Sequence, residues 1–434
     1  MEIIKTKYLS FMVMIAASSV LYSCKKEYKD PNGAIAADVL ASSKGLTGVS
    51  VGLQRVYTVS RPGLLFNSIT ANGFVTNEVL LRNSGNIPEL QLSTGGSAVD
   101  GTNSILLNLW TNANKIVYDA DNVIVNSALL ADKNYAAGLI AYSSIFKAMA
   151  IGNMSQYWEK VPSSIGANVS FVTRVEGFNK AIGVIDNALA VIAANPMSAT
   201  FLAQIPAGID ITNTLYALKA RYALFAGNYT LALTAANLVD LTKKSSFNFD
   251  AITLNPIFEI STSTNNVFQP TDANLGLTGV NIPDAADKRV GFYTTTATTA
   301  PTVRINGFGA AVSTAFPIYL PGEITLIKAE AYARQASPNL SSALTELNKV
   351  VTKTAAADPF GVGAALPALT GTYTQQQLLD LIYKNRCIEL YMSGLKLEDM
   401  RRFNQPLTDR KRNFFPYPFQ ERDNNPNTPA DPTF

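Results

Sequence analysis

The chain has 434 residues, with 35 Lys plus Arg against 32 Asp plus Glu and a formal charge of +3; it is long enough to bury a large core, and so near neutral a balance gives no case for nucleic-acid binding. Histidine is absent, which excludes Ser-His-Asp and Cys-His catalysis and every zinc site with a histidine ligand. Charged residues make up only 15% of the chain, below the roughly 25% of average proteins, so Asn, Ser, Thr and Gln must solvate much of the surface.

At the N-terminus, Lys5 and Lys7 make a basic start, and residues 8–21 are almost all apolar or small. That run is shorter than the about 20 apolar residues needed to cross a hydrocarbon core. It reads instead as a secretory signal. Leu21-Tyr22-Ser23-Cys24 resembles a bacterial lipobox, with Tyr22 bulkier than usual. The resemblance implies that Cys24 becomes the lipidated first residue of the mature protein, carrying palmitate-type acyl chains. One acyl chain anchors only marginally, at roughly 0.8 kcal/mol per buried CH₂, so several on one cysteine would hold a soluble domain at a membrane. The expected division is a signal peptide over 1–23, a lipidated tether over 24–33 and one domain over 34–434. The only other cysteine, Cys387, lies in a helical pattern and reads as a core thiol with no base to activate it.

Further along, residues 34–105 are rich in Gly, Thr, Asn and Ser and show little helical period. Helical spacing then sets in. "WTNANKIVYDADNVIVNSALL" places Trp110, Val117, Asp121 and Ile124 close to one face. "AAGLIAYSSIFKAMAIGNM" and "FNKAIGVIDNALAVIAANP" follow, the second stopped by Asn195-Pro196. "NTLYALKARYALFAGNYTLALTAANLVDLTK" reads as two helices joined at Gly227-Asn228. Residues 245–316 are again irregular, with short strands at most. "EITLIKAEAYARQASPNLSSALTELNKVVTK" is a second pair, joined around Ser337-Pro338, and "QQQLLDLIYKNRCIELYMSGLKLEDMRRF" a third, hinged at Gly394. The first two pairs resemble each other, which suggests helical-hairpin repeats of the tetratricopeptide type, with a period of about 34 residues. No stretch after the signal reads as a transmembrane helix. The tail from Asn413 is irregular and Pro-rich.

"RCIELYMSGLKLEDMRRF" resembles the C-terminal signature of the SusD/RagB lipoproteins, matched at Arg386, Glu389, Leu390, Gly394, Asp399, Arg401 and Arg402. Ser393, Lys396 and Phe403 depart from the usual Glu, Arg and Trp. "PIYLPGEITLIKAEAYAR", "FFPYPFQE", "LWTNANKIVYDADNVI", "QYWEKVP" and the Gly227-Asn228-Tyr229 turn are further landmarks, in order along the chain. The resemblance implies a mainly α, SusD-like domain: a tetratricopeptide-like scaffold with long irregular loops and few short strands. It further implies a lipid-anchored outer-membrane protein, facing outward, that binds a glycan and delivers it to a SusC-like TonB-dependent transporter. Some members hold a peptide instead. No cofactor, metal or catalytic residue is implied. A helical-repeat scaffold that binds only protein is the other non-catalytic reading.

The signature residues have a structural reading first. Arg386 and Glu389, three apart on a helix, can meet on one face and are expected to form a scaffold ion pair, with Asp399 in reach of Arg402 or Lys396. Ligand binding without histidine or metal needs aromatic platforms and planar polar groups. The candidates are Trp110 with Asn112 and Asn114 beside it, Arg82 in "LLRNSGN", Phe292 and Tyr293 after "DKRVG", and Phe308 in "INGFG". Trp158 is expected to be structural. A glycosidase needs only two carboxylates, but no Asp/Glu pair stands out beside an aromatic motif.

Overall fold

The computed structural model describes residues 36–433, with side chains from Asp38 onward. The signal segment 1–23, Cys24 and the tether 24–33 lie outside the described residues. In chain order the elements are α1 (Ala36–Leu40), α2 (Ser43–Thr58), α3 (Leu64–Val75), β1 (Val79–Leu81), α4 (Ile87–Thr94), α5 (Ser104–Ser127), α6 (Lys133–Tyr157), β2 (Lys160–Pro162) and β3 (Phe171–Thr173). They continue with α7 (Arg174–Ala194), α8 (Ala199–Leu202), α9 (Ile211–Phe225), α10 (Tyr229–Ala236), β4 (Ser246–Phe247), β5 (Phe268–Pro270), α11 (Lys288–Tyr293), β6 (Thr294–Thr296) and β7 (Val303–Ile305). The last are β8 (Phe316–Pro317), α12 (Pro321–Arg334), α13 (Leu340–Val351), α14 (Gln375–Glu389), α15 (Lys396–Arg402) and α16 (Phe419–Asn424).

Side-chain caps explain where most long helices start. Asn103 accepts from the Ile105 and Leu106 amides, and Asp132 from those of Asn134 and Tyr135. Thr173–Glu176 and Thr374–Gln377 form reciprocal capping boxes. The helices pack as successive hairpins, α6 with α7, α9 with α10 and α12 with α13, and each hairpin packs on the next. The joints fall at Gly227-Asn228 and around Ser337-Pro338, as the sequence predicts. This is a mainly α, tetratricopeptide-like scaffold. Among the described residues, strands occur only as two-stranded antiparallel ladders: β1 with β5, β2 with β3, β4 with β8 and β6 with β7.

Residues 34–105 depart from expectation, because α2, α3 and α4 lie within them. Every residue of α3 is buried, so it has no polar face and leaves no period to read. Against the expectation of no further membrane-length segment, α6 and α7 are long and apolar enough to cross a bilayer. They pack on each other, and most of α6 is buried. Cys387 is the expected core thiol; burial pushes it up to about 12.

The signature segment forms a buried ionic lattice. Arg386 donates to both oxygens of Asp399, at 2.9 and 3.0 Å. Arg402 bridges Asp399 (2.8 Å) to Glu330 (2.8 Å), which Arg334 also binds at 2.9 Å. This ties α12, α14 and α15 together. Arg221 on α9 grips Glu323 on α12 with bonds of 2.6 and 2.7 Å. The expected Arg386–Glu389 pair does not form. Glu389, at the end of α14, lies over Gly322 of α12 and takes Arg289 (3.2 Å) and Lys353 (2.6 Å) instead. Same-face spacing permits an intrahelical pair, but tertiary cations on either side supplied nearer partners. Gly394 provides the hinge between α14 and α15, with φ +80°, a left-handed geometry that suits glycine.

Candidate ligand cleft

Two adjoining lobes, ≈ 670 and ≈ 530 Å³, lie beside α5. Both fall within the about 300–1,000 Å³ usual for ligand sites. They share Asn114, Pro162, Ser164, Ile165 and Gly166, so they form one continuous cleft. Helix α5 builds one wall because its core stripe, through Leu106, Leu109, Ala113, Ile116, Ala120 and Val123, faces inward. That leaves Asn114, Tyr118, Asp121 and Asn122 on the cleft side. Helices α6 and α7 and the β2–β3 loop supply the other walls of the first lobe. The N-terminal part of α16 and its following turn close the second.

Tyr118 is 55% exposed. Among the described residues, only Tyr118 and Phe419 have exposed aromatic side chains. Tyr118 lines the first lobe, and Phe419 immediately precedes Gln420 and Glu421, which line the second. Among the described residues, the Asn122 and Asn187 side-chain amides in the first lobe have no hydrogen-bond partner. A free ring and free planar amides on one cleft can stack on the apolar face of a ring and bond its hydroxyls. A smaller cavity beside Tyr57, Arg221 and Tyr391 holds only ≈ 50 Å³, room for water rather than a ligand. A groove of ≈ 510 Å³ beside Asp284 and Lys384 has no aromatic side chain in its lining. No group of three or more metal-ligating side chains occurs among the described residues.

The expected ligand residues divide. Trp110 and Asn114 do line the cleft. Trp110, however, is only 3% exposed, which corrects its reading as an open platform. It lies on the core face of α5, stacks on Phe171 at 6.2 Å and meets Trp158 and Tyr417 edge-on at 4.9 and 5.5 Å. Its Nε1 donates to Glu421 at 2.9 Å. Asn112 ties Pro62 O at 2.8 Å, and Asn114 donates back to Trp110 O at 2.9 Å. Arg82 is exposed, outside both lobes, and its backbone amide bonds Val267 O. Phe292, Tyr293 and Phe308 come together, with ring centroids 5.0–6.1 Å apart, but as core packing. Tyr293 is 3% exposed; burial, with Glu389 nearby, raises its hydroxyl well above its ordinary range. Trp158 is buried and donates to Pro416 O at 3.0 Å, as expected of a structural residue.

Sequence reasoning missed Tyr118. The signal was present: a helix whose core runs through positions 106, 109, 113, 116, 120 and 123 must turn position 118 outward. The predicted face instead ran through Asp121 and Ile124, which are only half-buried.

No protein-family model matches the sequence, and no curated protein matches it. Solved structures do. A SusD superfamily protein from Parabacteroides distasonis superposes with a TM-score of 0.70 at 14% identity, covering 93% of this chain and 100% of that one. A SusD-like carbohydrate-binding protein from Bacteroides fragilis gives 0.68 at 13% identity, covering 90% and 99%. A SusD/RagB family protein from Bacteroides thetaiotaomicron gives 0.65 at 14%, covering 91% and 95%. The chain has the SusD-superfamily fold.

Proposed function

We propose that this protein is a non-catalytic, SusD-like glycan-binding lipoprotein of the outer membrane. Cys24 carries the lipid anchor, residues 24–33 are the tether, and the domain faces outward and passes its ligand to a SusC-like TonB-dependent transporter. The observation that carries the glycan reading is the placement of Tyr118. It is one of two exposed aromatic rings among the described residues, and it stands on a cleft with unbonded Asn122 and Asn187 amides. That chemistry suits a sugar ring. The fold shared with a carbohydrate-binding protein supports the same reading.

Calorimetric titration of the purified protein with neutral and acidic oligosaccharides, and with short peptides, tests it. Glycan binding that is weakened in Tyr118→Ala is expected. Binding of peptides alone, or of glycans with Tyr118→Ala unimpaired, would overturn it. Acyl labelling and membrane fractionation of Cys24→Ala test the anchor; both should be lost.

A further inference from the structure

We infer that the cleft takes an acidic saccharide, with its carboxylate or sulfate held between Lys147 and Lys180. The inference rests on the glycan reading and narrows it to a substrate class. Lys147 on α6 and Lys180 on α7 both line the first lobe, and among the described residues Asp121 is the only acidic one lining it. Two ammonium groups therefore face one carboxylate in the lining of the lobe, an excess of one positive charge. Asp121 is committed to Lys147. Lys180 has no ion-pair partner among the described residues; its ammonium donates to the backbone oxygen of Ser163.

Nearby acids are engaged elsewhere. Glu176, one turn before Lys180, accepts from the Thr173 amide and hydroxyl at 2.8 Å each, closing the cap of α7; its charge also acts on Lys180 but does not outweigh burial and Lys147. Asp119 pairs with Lys115 and Asp186 with Lys219. The two cleft cations also oppose each other: burial, then the Lys147 ammonium, draws Lys180 below the ordinary lysine range. An anion lodged between them relieves that repulsion and gains charge-assisted hydrogen bonds. Lysines on flexible stems act as point charges that can close on either a carboxylate or a sulfate. Tyr118 and the free amides are left to hold the sugar ring.

The test is a titration of the full protein with three trisaccharides: a hexuronate, a sulfated one and a neutral one. At least one acidic probe should bind about tenfold or more tighter than the neutral probe, about 1.4 kcal/mol. That preference should collapse in Lys180→Gln and reverse in Lys180→Glu. It should also shrink as NaCl rises from about 50 mM to about 500 mM, because exposed charges are then screened. Lys180 is on the surface, so both variants should keep the wild-type melting temperature. Neutral binding equal to or tighter than acidic binding overturns the inference and leaves the glycan reading intact. So does an acidic preference that persists in Lys180→Gln. Binding of none of the three, with peptide binding present, overturns both.

Discussion

Arg386 on α14 donates two hydrogen bonds, of 2.9 and 3.0 Å, to the Asp399 carboxylate on α15. Both side chains are essentially excluded from solvent. The parallel fork fixes how the two helices meet across the Gly394 hinge. Arg386→Ala leaves the buried Asp399 carboxylate to Arg402 alone and should cost about 3 kcal/mol in denaturant unfolding, the low end for losing one partner of a buried pair. Arg386→Lys should recover little, because an ammonium cannot supply the fork. Unchanged stability combined with lost ligand affinity would assign Arg386 to the ligand instead.

Glu330 predicts a pH dependence. Burial opposes its charge, but Arg402, then Arg386 and Arg334, outweigh burial and hold its carboxyl below the ordinary value. A carboxyl lowered in the folded state stabilises fully above its unfolded value, about 4.3, and that stabilisation is lost as pH falls through the folded value. The unfolding free-energy difference between wild type and Glu330→Gln should therefore be largest near neutrality and shrink in acid. Glu78 works the other way, since burial raises its carboxyl, so only the difference between the two proteins isolates Glu330. A gap that stays constant into acid would contradict this origin.

The sequence carried the scaffold more clearly than the site. Hairpins at Gly227-Asn228 and Ser337-Pro338 were legible because each joins two periodic stretches with a turn signal between. Helix α3 was not, because all its faces are buried. Arg386 was recognisable as structural, yet its partner was not: Asp399 and Glu389 are both near in sequence, and only the crossing of α12 over α14 decides between them. The cleft depends on three helices and a loop brought together by folding. Trp110 drew attention by residue type, whereas exposure, which Tyr118 has and Trp110 lacks, follows from the register of α5.

Gly322 and Glu389 make a second checkable contact. A β-carbon on Gly322 would lie 1.8 Å from Glu389 Oε1 and 2.4 Å from its carboxyl carbon. Gly322→Ala must displace that carboxylate from Arg289 and Lys353, and should destabilise by about 2 kcal/mol or more. Gly48→Ala in α2 is the control, since its β-carbon would meet nothing within 4 Å. There the gain in helix propensity should stabilise by roughly 0.5–1 kcal/mol. Similar effects at both positions would show that the Glu389 contact is not restrictive.

Trp110 and Tyr118, two turns apart on α5, should separate stability from binding. Trp110 fills an aromatic cluster with Trp158, Phe171 and Tyr417, so Trp110→Ala should lower stability by about 3–5 kcal/mol. Tyr118 is 55% exposed, so Tyr118→Ala should leave stability within about 0.5 kcal/mol of wild type. Its affinity for a bound saccharide should instead fall by roughly 1–3 kcal/mol, by analogy with aromatic stacking on bases. Trp110→Phe keeps a ring in the cluster but loses the bond to Glu421, and should fall between wild type and alanine in stability. Unfolding and titration on the same three variants decide the assignment. A Trp110→Phe protein that melts like wild type yet loses saccharide affinity would return the indole to the ligand face. A Tyr118→Ala protein with full affinity would remove Tyr118 from it.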